Sequence, residues 1–398
     1  MSVLGDIEVF IVGNKPPYIG GKYFQFIKLT TKCGIIGYGE CYAASVSPFV
    51  MTFIIKDIFE RYLFGEDPRN IELMFRKVYS SGFSQRPDPT IIGAFSGMEI
   101  ACWDIIGKMY NQPIYKLIGG KVNEKLRSYS YLYPSEDDDP ETFYSDPVAS
   151  ASVAATYTKL GFTAVKFDPA GPYTIFDGHQ PSLEDLDRSE SFCRYIREAI
   201  GNKADILFGT HGQFTASGAS RIAKRIEKYD PLWFEEPVPP DNTEEMAKVA
   251  RSTTIPIATG ERLTTKQEFS QVLKLNAANI LQPALGRVGG IWEAKKIASL
   301  AETYNSSVAP HLYAGPVEWA ANIQLGASIP NLLILETIKT GKGFQRELIT
   351  KDIIWEDGFI FPSNEPGLGI ELNESVAKKN PYKLNDLHLE MSSKSVDY

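Results

Sequence analysis

The chain has few cysteines and no long apolar run. Four of its 398 residues are cysteine, and none of them stands in a Cys-x-x-Cys pair. Disulfide frameworks and thiolate metal sites need clustered cysteines, so a reduced compartment is the simpler expectation. No apolar run approaches the ~18 residues of a membrane helix, and the N-terminus lacks the basic start and apolar core of a signal peptide. We therefore expect a cytoplasmic protein with no membrane partner.

The chain also lacks an excess of basic residues. It has 41 Lys and Arg residues against 49 Asp and Glu residues, a formal net charge of −8. This balance disfavours a nucleic-acid partner. It does not exclude a small anionic substrate, because a metal ion or a local basic group can reverse the field inside a pocket. No phosphate-binding loop is present, and Gly37-Tyr38-Gly39-Glu40 lacks the spacing and βα context of a dinucleotide fingerprint.

Three short apolar runs each end in a side chain that can bind a metal ion. The runs cover 206–211, 232–237 and 255–261, and they end at His211, at Glu235 with Glu236, and at Glu261. The segments between them, 218–229 and 242–252, carry apolar residues at helical spacing. Parallel strands joined by helices end on one common face. The three side chains are therefore predicted to converge on one pocket.

The N-terminal part of the sequence predicts a separate α+β domain. Residues 6–12, 22–31 and 34–41 alternate apolar and polar side chains, which favours a small antiparallel sheet. The loop 14–21, rich in Gly and Pro, is long enough to be a lid. Helical periodicity then runs from 49 to about 116 and stops at Leu117-Ile118-Gly119-Gly120. We expect a capping domain at 1–125.

The second half predicts a barrel. A strand and a helical pattern repeat at about 25 residues, the length of a βα unit. Eight strand ends are what an eight-stranded α/β barrel requires, and we place this barrel at 126–340 with an inserted loop at 169–183. A C-terminal segment, 341–398, follows; its part 361–370 is expected to pack on the cap, and the polar residues after Lys383 are expected to be disordered. The predicted strand ends are Tyr131, Asp168, His211, Glu235, Glu261, Ala284, His311 and Glu336.

Four motifs, in order along the chain, resemble one protein family. They are Ala-Cys-Trp-Asp-Ile-Ile-Gly-Lys at 101–108 with Leu-Ile-Gly-Gly at 117–120, Trp-Phe-Glu-Glu-Pro at 233–237, Gly-Glu-Arg at 260–262, and Pro-His-Leu-Tyr-Ala-Gly-Pro at 310–316. Together they resemble acid-sugar dehydratases of the mandelate racemase/muconate lactonizing enzyme branch of the enolase superfamily. The resemblance implies an α/β fold, a modified (β/α)7β TIM barrel with an α+β cap completed by the C-terminal segment. It also implies an essential Mg²⁺ ion and removal of the proton α to a substrate carboxylate.

The resemblance places metal ligands at Glu235 and Glu261, whose hard oxygen atoms suit Mg²⁺. Related dehydratases have Asp-x-His or Asp-x-Asn at the end of the third strand, whereas this chain has Gly209-Thr210-His211. Either His211 becomes the third metal ligand, or Thr210, Gln213 or water completes the site, or the site is weakened. A nitrogen ligand favours Mn²⁺ or another divalent ion over Mg²⁺. The other role for His211 is general acid towards the leaving hydroxyl.

His311 matches the family's general base at the seventh strand. A neutral imidazole there can take the α-proton. The family orients this base with an Asp at the sixth strand, where the present chain has Ala284. Gln282 or Glu336 is the predicted substitute.

Lys166 occupies the first position of the family's Lys-x-Lys pair, and Asp168 replaces the second Lys. Side chains alternate along a strand, so both face the barrel interior. Lys166 is expected to bind the substrate carboxylate or to act in acid–base catalysis, and Asp168 to pair with Lys166 or a sugar hydroxyl. Glu336 matches a residue that donates a hydrogen bond to the substrate carboxylate, which requires it to be protonated.

The predicted function is that of a divalent-metal-dependent dehydratase, which converts a sugar acid to a 2-keto-3-deoxy acid. A homo-oligomer is expected, as is usual in the family. One alternative is a racemase, epimerase or cycloisomerase of a carboxylate on the same fold. A second is a barrel glycoside hydrolase that uses Glu235 and Glu261 without a metal. A third is a non-catalytic homologue that binds a sugar acid, suggested by Gly209 and Ala284.

Overall fold

The N-terminal part of the chain is an antiparallel sheet covered by helices, in a computed structural model that describes residues 2–42, 45–83, 85–135 and 138–396 and only the backbone of Glu141. The predicted antiparallel sheet and helical segment are confirmed. A π-helical turn, Phe59–Leu63, extends the first helix. The elements are β1 (Leu4–Gly13), β2 (Tyr23–Thr31), β3 (Ile36–Glu40), α1 (Pro48–Ile58), α2 (Ile71–Ser80), α3 (Pro89–Tyr110) and α4 (Ile114–Leu117).

Helix α3 forms the centre of this cap. It begins where the Asp88 carboxylate accepts hydrogen bonds from the N–H groups of Thr90 and Ile91, which replaces partners that the first helical turn lacks. Two glycines bring β3 directly onto it, because a Cβ at Gly39 would lie 1.8 Å from the Gly97 carbonyl oxygen and one at Gly37 2.2 Å from that of Ala101. The Gly-Tyr-Gly sequence of β3 therefore serves packing.

Helix α3 is also, among the described residues, the one helix long and apolar enough to cross a membrane by length and composition. It spans 22 residues, and 83% of its most apolar window is buried inside the protein. Core helices of globular proteins meet the same criteria, so this observation is weak evidence for a membrane span.

Eight parallel strands form the barrel. Neighbouring strands pair in order from β4 to β10, β11 pairs with β4, and a parallel bridge between Val308 and Leu332 closes the ring. The strands are β4 (Leu126–Tyr131), β5 (Ala164–Phe167), β6 (Asp205–Phe208), β7 (Trp233–Glu235), β8 (Ile257–Thr259), β9 (Ile280–Leu281), β10 (Ser307–Val308) and β11 (Leu335–Thr337).

Helical crossovers join the eight strands, which confirms the predicted (β/α)7β barrel. The predicted insertion lies between β5 and the next helix, which a capping box of Ser182 and Asp185 begins. A 3-10 turn, Glu227–Tyr229, precedes β7. The helices are α5 (Pro140–Phe143), α6 (Pro147–Lys159), α7 (Leu183–Ile200), α8 (Ala216–Ile226), α9 (Thr243–Ala250), α10 (Thr265–Lys274), α11 (Leu285–Val288), α12 (Gly290–Glu302) and α13 (Pro316–Ser328).

The C-terminal segment returns to the cap, as predicted. It contains α14 (Phe344–Glu347), the hairpin of β12 (Ile354–Glu356) and β13 (Phe359–Phe361), and α15 (Glu374–Lys379). The buried Asp104 carboxylate ties the parts together, because it accepts hydrogen bonds from the backbone N–H of Tyr38 (3.0 Å) and of Leu368 (2.9 Å) and from Lys108 (2.7 Å).

The residues after Lys383 are ordered where described, so the predicted disordered tail is wrong. Just before them, the Tyr382 N–H donates to the Ile11 carbonyl, and within them Ser392 exchanges backbone hydrogen bonds with Tyr173 and Ile175. His388 is buried, with 6% of its surface exposed. These contacts carry the segment from the cap across the mouth of the barrel.

Candidate active site

A cavity of about 830 Å³ opens at the carboxyl ends of the barrel strands. Five predicted site residues line it together: Lys166, His211, Glu261, His311 and Glu336. The C-terminal segment contributes to the same wall through His388, Leu389 and Glu390. Aromatic side chains form much of the rest. The tyrosines of the described wall are Tyr18, Tyr42, Tyr131, Tyr133, Tyr144, Tyr173 and Tyr313.

Glu235, the sixth predicted residue, lies behind Lys166 and is fully buried. The Lys166 ammonium donates to one carboxylate oxygen at 2.6 Å. The other oxygen accepts hydrogen bonds from the indole N–H of Trp233 (3.0 Å) and from the Gln282 amide (2.9 Å). Burial disfavours the ammonium charge, but Glu235 and Glu336 outweigh it and hold the pKa of Lys166 well above its ordinary value.

His211 stands between two carboxylates. Its Nδ1 lies 2.8 Å from Asp168 Oδ2, and its Nε2 lies 3.7 Å from Glu261 Oε1. The Tyr173 hydroxyl donates to the same Asp168 oxygen. Burial alone would lower the pKa of His211, but Glu261 and Asp168 overcome it and raise the pKa to about 9. The imidazole is therefore positively charged near neutral pH.

His311 has the opposite character. Burial lowers its pKa to about 3, although Glu261, with Oε2 at 3.4 Å from His311 Nε2, acts against the shift. The ring packs edge-on against Tyr42, with centroids 5.5 Å apart. Its buried Nδ1 has no hydrogen-bond partner among the described residues. The predicted orientation of His311 by Gln282 or Glu336 is wrong, because Gln282 binds Glu235 and Glu336 accepts from the Leu312 N–H.

Glu336 lies beside Lys166, at 3.9 Å from the ammonium, and accepts a hydrogen bond of 2.7 Å from the Leu312 N–H. Burial raises its pKa to about 7, against the opposing charge of Lys166. The carboxyl group is therefore protonated in a large fraction of molecules at neutral pH, as the predicted hydrogen-bond donor must be.

The metal site implied by the resemblance does not fit these contacts. Of the predicted ligands, Glu235 is engaged by three N–H donors, and His211 is engaged at Nδ1 by Asp168. Gly209 has no side chain to add. Of these predicted ligands, Glu261 alone keeps a buried carboxylate oxygen without a hydrogen-bond partner among the described residues. Across the described parts of the chain, no three His, Cys, Asp or Glu side chains are grouped to hold a metal ion.

Several contacts escaped the prediction from sequence. Asp168 pairs with His211 rather than with Lys166. Its position two residues after Lys166 predicted that Asp168 faces the barrel interior. The charged residue with which it pairs there was not predictable from the sequence. His388 gave no signal, because it lies in a polar stretch without periodicity. Glu236 binds Arg262 at 2.7 Å, and Arg262 also donates to the His211 carbonyl.

Comparisons with known proteins agree with this architecture. The N-terminal domain of mandelate racemase/muconate lactonizing enzymes matches residues 17–119, and the enolase C-terminal domain-like family matches residues 149–376. D-xylonate dehydratase of Haloferax volcanii is 32% identical over 372 residues, which cover 92% of this chain and 86% of that protein. D-galactonate dehydratase of Pectobacterium atrosepticum is 33% identical over 359 residues, 89% of this chain and 90% of that protein.

A crystal structure of a mandelate racemase/muconate lactonizing enzyme from Sulfitobacter sp. superposes with a TM-score of 0.98 at 56% identity, over 100% of both chains. Both curated relatives are dehydratases and match most of this chain, which identifies it as an enzyme of the hydro-lyase class. With both domains matched and the barrel closed as its motifs predict, the chain belongs to the mandelate racemase/muconate lactonizing enzyme family of the enolase superfamily.

Proposed function

We propose that the chain dehydrates a sugar acid to a 2-keto-3-deoxy acid. One observation carries the proposal: two histidines that face the same cavity have opposite surroundings. His211 is bonded to Asp168 and lies near Glu261, which favours a proton on its ring, whereas His311 is buried against Tyr42 without a partner for Nδ1. One acid and one base in a single pocket suit an elimination. A racemase would need a base on each face of the substrate.

His311 is the proposed general base. In its neutral form the imidazole takes the proton α to the carboxylate, which leaves an enediolate. A pKa near 3 makes His311 a weak base in the free site. A bound substrate carboxylate adds negative charge beside the ring, and that charge raises the pKa towards the working range.

His211 is the proposed general acid. Its Nδ1 faces Asp168, so Nε2 is the nitrogen that can release a proton. The enediolate collapses, the bond from C3 to its hydroxyl breaks, and the hydroxyl leaves as water with the His211 proton. The resulting enol then becomes the keto product. A charge-assisted hydrogen bond that the Nδ1–H of His211 donates to Asp168 keeps the ring oriented for the transfer.

Lys166 and Glu336 are proposed to bind the substrate carboxylate. The ammonium attracts the anion, and the protonated Glu336 can donate a hydrogen bond to it. Tyrosines on the wall suit a polyhydroxy substrate, because their rings pack on C–H groups and their hydroxyls exchange hydrogen bonds. The named relatives make D-xylonate and D-galactonate the first compounds to test.

The three buried and one exposed free cysteines agree with the proposed cytoplasmic location.

Enolase-superfamily dehydratases generally use a divalent metal ion, typically Mg²⁺, which stabilises the charge of the enediolate. The contacts of Glu235 and His211 do not fit such an ion.

The proposal is tested with a set of sugar acids in D2O, followed by nuclear magnetic resonance. Wild-type protein is expected to form a 2-keto-3-deoxy acid from at least one of them. His311→Asn is expected to lose both product formation and deuterium exchange at the α-carbon. His211→Asn is expected to lose product formation but to keep exchange, since the base remains. General acid or base removal should slow turnover by about 10²–10⁴-fold.

His179, in the inserted loop and outside the cavity wall, offers a matched control as His179→Asn. This variant should turn over like wild type. If no sugar acid is consumed, dehydration is rejected for the compounds tested. Exchange that persists in His311→Asn would remove His311 from the base role.

A further inference from the structure

Lys166 separates Glu235 from the cavity. The ammonium lines the cavity wall and lies 2.6 Å from Glu235 Oε1, while Glu235 itself is fully buried behind it. Trp233 and Gln282 fix the carboxylate in this orientation by binding its other oxygen. An incoming divalent cation would have to displace the ammonium or bind beside it. Two positive charges that share one buried carboxylate repel each other strongly.

The Lys166 side chain passes close to Gly209, where the lack of a side chain leaves room for it. The backbone at Gly209 is not in the left-handed region, so its conformation does not require glycine. Space is tight, however: a Cβ at this position would lie 3.3 Å from Lys166 Cε and 3.2 Å from the Phe167 carbonyl oxygen, so its neighbours would have to move by a few tenths of an ångström. A carboxylate side chain at 209 would therefore crowd the lysine stem. The absence of an acidic residue at 209 and the position of Lys166 therefore depend on each other.

We infer that the Lys166 ammonium takes the place of a resident divalent cation, so that the pocket binds and activates its substrate without a bound metal ion. The inference deepens the proposed function and rests on it. Glu235 is already paired with this ammonium, and Glu261 lies beside His211 and His311, so both predicted carboxylate ligands have nitrogen neighbours from the chain itself. The ammonium then faces the substrate carboxylate, with Glu336 at 3.9 Å on the same side.

The test is binding of Mn²⁺ to the full-length protein after treatment with a chelator, followed by electron paramagnetic resonance. Wild type is expected to show no saturable binding in the pocket. The double variant Gly209→Asp/Lys166→Met restores a carboxylate and removes the ammonium. It is expected to bind Mn²⁺ about tenfold or more tightly than either single variant. Lys224→Met, an exposed lysine on α8, controls for the lost charge and should behave as wild type.

Saturable Mn²⁺ binding by wild type that disappears in Glu235→Gln or Glu261→Gln would overturn the inference. Binding that survives both substitutions places the ion outside the pocket and supports it. These comparisons decide the matter even if the double variant does not fold, which circular dichroism would show.

Turnover separates this inference from the proposed function. Sugar-acid dehydration by chelator-treated wild type supports both. Dehydration only after a divalent ion is added leaves the proposed function intact and overturns the role of Lys166. If no sugar acid is consumed under either condition, the proposed function fails, and the Mn²⁺ titrations still decide whether the pocket holds a cation.

Discussion

Glu261 is the residue that both histidines share. Its Oε1 lies 3.7 Å from His211 and its Oε2 lies 3.4 Å from His311. Burial would raise the pKa of this carboxyl, but His311 and His211 outweigh burial and lower the pKa below its usual range. This negative charge between the rings favours a proton on both of them, and burial is what keeps the pKa of His311 low. The two rings are therefore coupled through one carboxylate.

The first prediction concerns the pH dependence of substrate binding. Glu336 has its pKa raised to about 7, so the carboxyl donates a hydrogen bond below this pH and repels the substrate carboxylate above it. KM should rise as the pH passes 7. The rate constant kcat should persist until His211, with its pKa raised to about 9, loses its proton. Steady-state kinetics measured from pH 5 to 10, in steps of about one pH unit, would separate the rise of KM from the fall of kcat.

Glu336→Gln is the matched variant, because an amide keeps a donor and cannot ionise. The rise of KM near pH 7 should vanish while the alkaline fall of kcat remains. If KM of the Glu336→Gln variant still rises near pH 7, another group is responsible for the rise.

The pocket was predictable from sequence to the level of which side chains meet. Parallel strands that end in Lys, His or Glu bring these residues together whatever their rotamers. Their pairing was not predictable, since Asp168, Glu235 and Glu336 all lay within reach of Lys166 in the predicted barrel. The outcome depends on the space above Gly209 and on the donors of Trp233 and Gln282, which are tertiary features.

At the scale of elements, the C-terminal segment shows how a composition can mislead. Its polar sequence predicts disorder, because little apolar area is available to offset the entropy of ordering. The segment is held instead by backbone hydrogen bonds to Ile11 and Tyr173 and by one buried ring. His388 packs edge-on against Tyr23, Tyr42 and Tyr313, and its Nε2 lies 3.0 Å from the Tyr313 carbonyl oxygen.

The second prediction follows from this ring stack. Tyr42 lies between His388 and His311, so His388→Ala should let the catalytic ring shift. We expect kcat to fall by about tenfold or more, because small misplacements of reacting groups are costly. Loss of one packed side chain should lower the free energy of unfolding by about 1–3 kcal/mol. Kinetics and denaturant unfolding measure the two effects.

Lys394→Ala serves as the control, since Lys394 is exposed in the same segment and outside the cavity wall. It should leave both quantities unchanged. Unaltered kcat in His388→Ala would show that Tyr42 holds His311 without help from the segment.

The order of strands and helices was predictable because apolar runs and helical periodicity alternate so regularly. Strand ends were less well placed. His311 follows β10 by three residues and Glu261 follows β8 by two. Such side chains sit on the turns that leave the barrel, where hydrophobic alternation has already stopped and gives no register.

At the scale of the whole molecule, the cap carries an exposed apolar surface on α1. Phe49, Val50 and Phe53 are 41%, 48% and 74% exposed. Exposed apolar side chains that are grouped on a protein surface commonly mark contacts between proteins. The predicted homo-oligomer would cover them, and a symmetric pair of copies would bury the same patch twice.

The third prediction is that Phe53→Glu reduces the oligomer. Light scattering during gel filtration should give an even multiple of the 44.3 kDa chain for wild type and a smaller mass for the variant, because a buried unpaired charge disfavours the interface. Leu160→Glu places the same charge at another exposed apolar residue and should keep the wild-type mass. A monomeric wild type, or a Phe53→Glu variant of unchanged mass, would contradict the prediction.

The cavity wall comes from two sources, and this has a consequence for how such an enzyme can change. The groups proposed for the chemistry sit at the ends of barrel strands, whereas Tyr18, Leu389 and Glu390 reach the same space from the cap loop and the C-terminal segment. Those outer residues can be exchanged without altering any strand of the barrel. Selection, natural or in the laboratory, could therefore change the accepted substrate at the rim while the proton transfers below stay as they are.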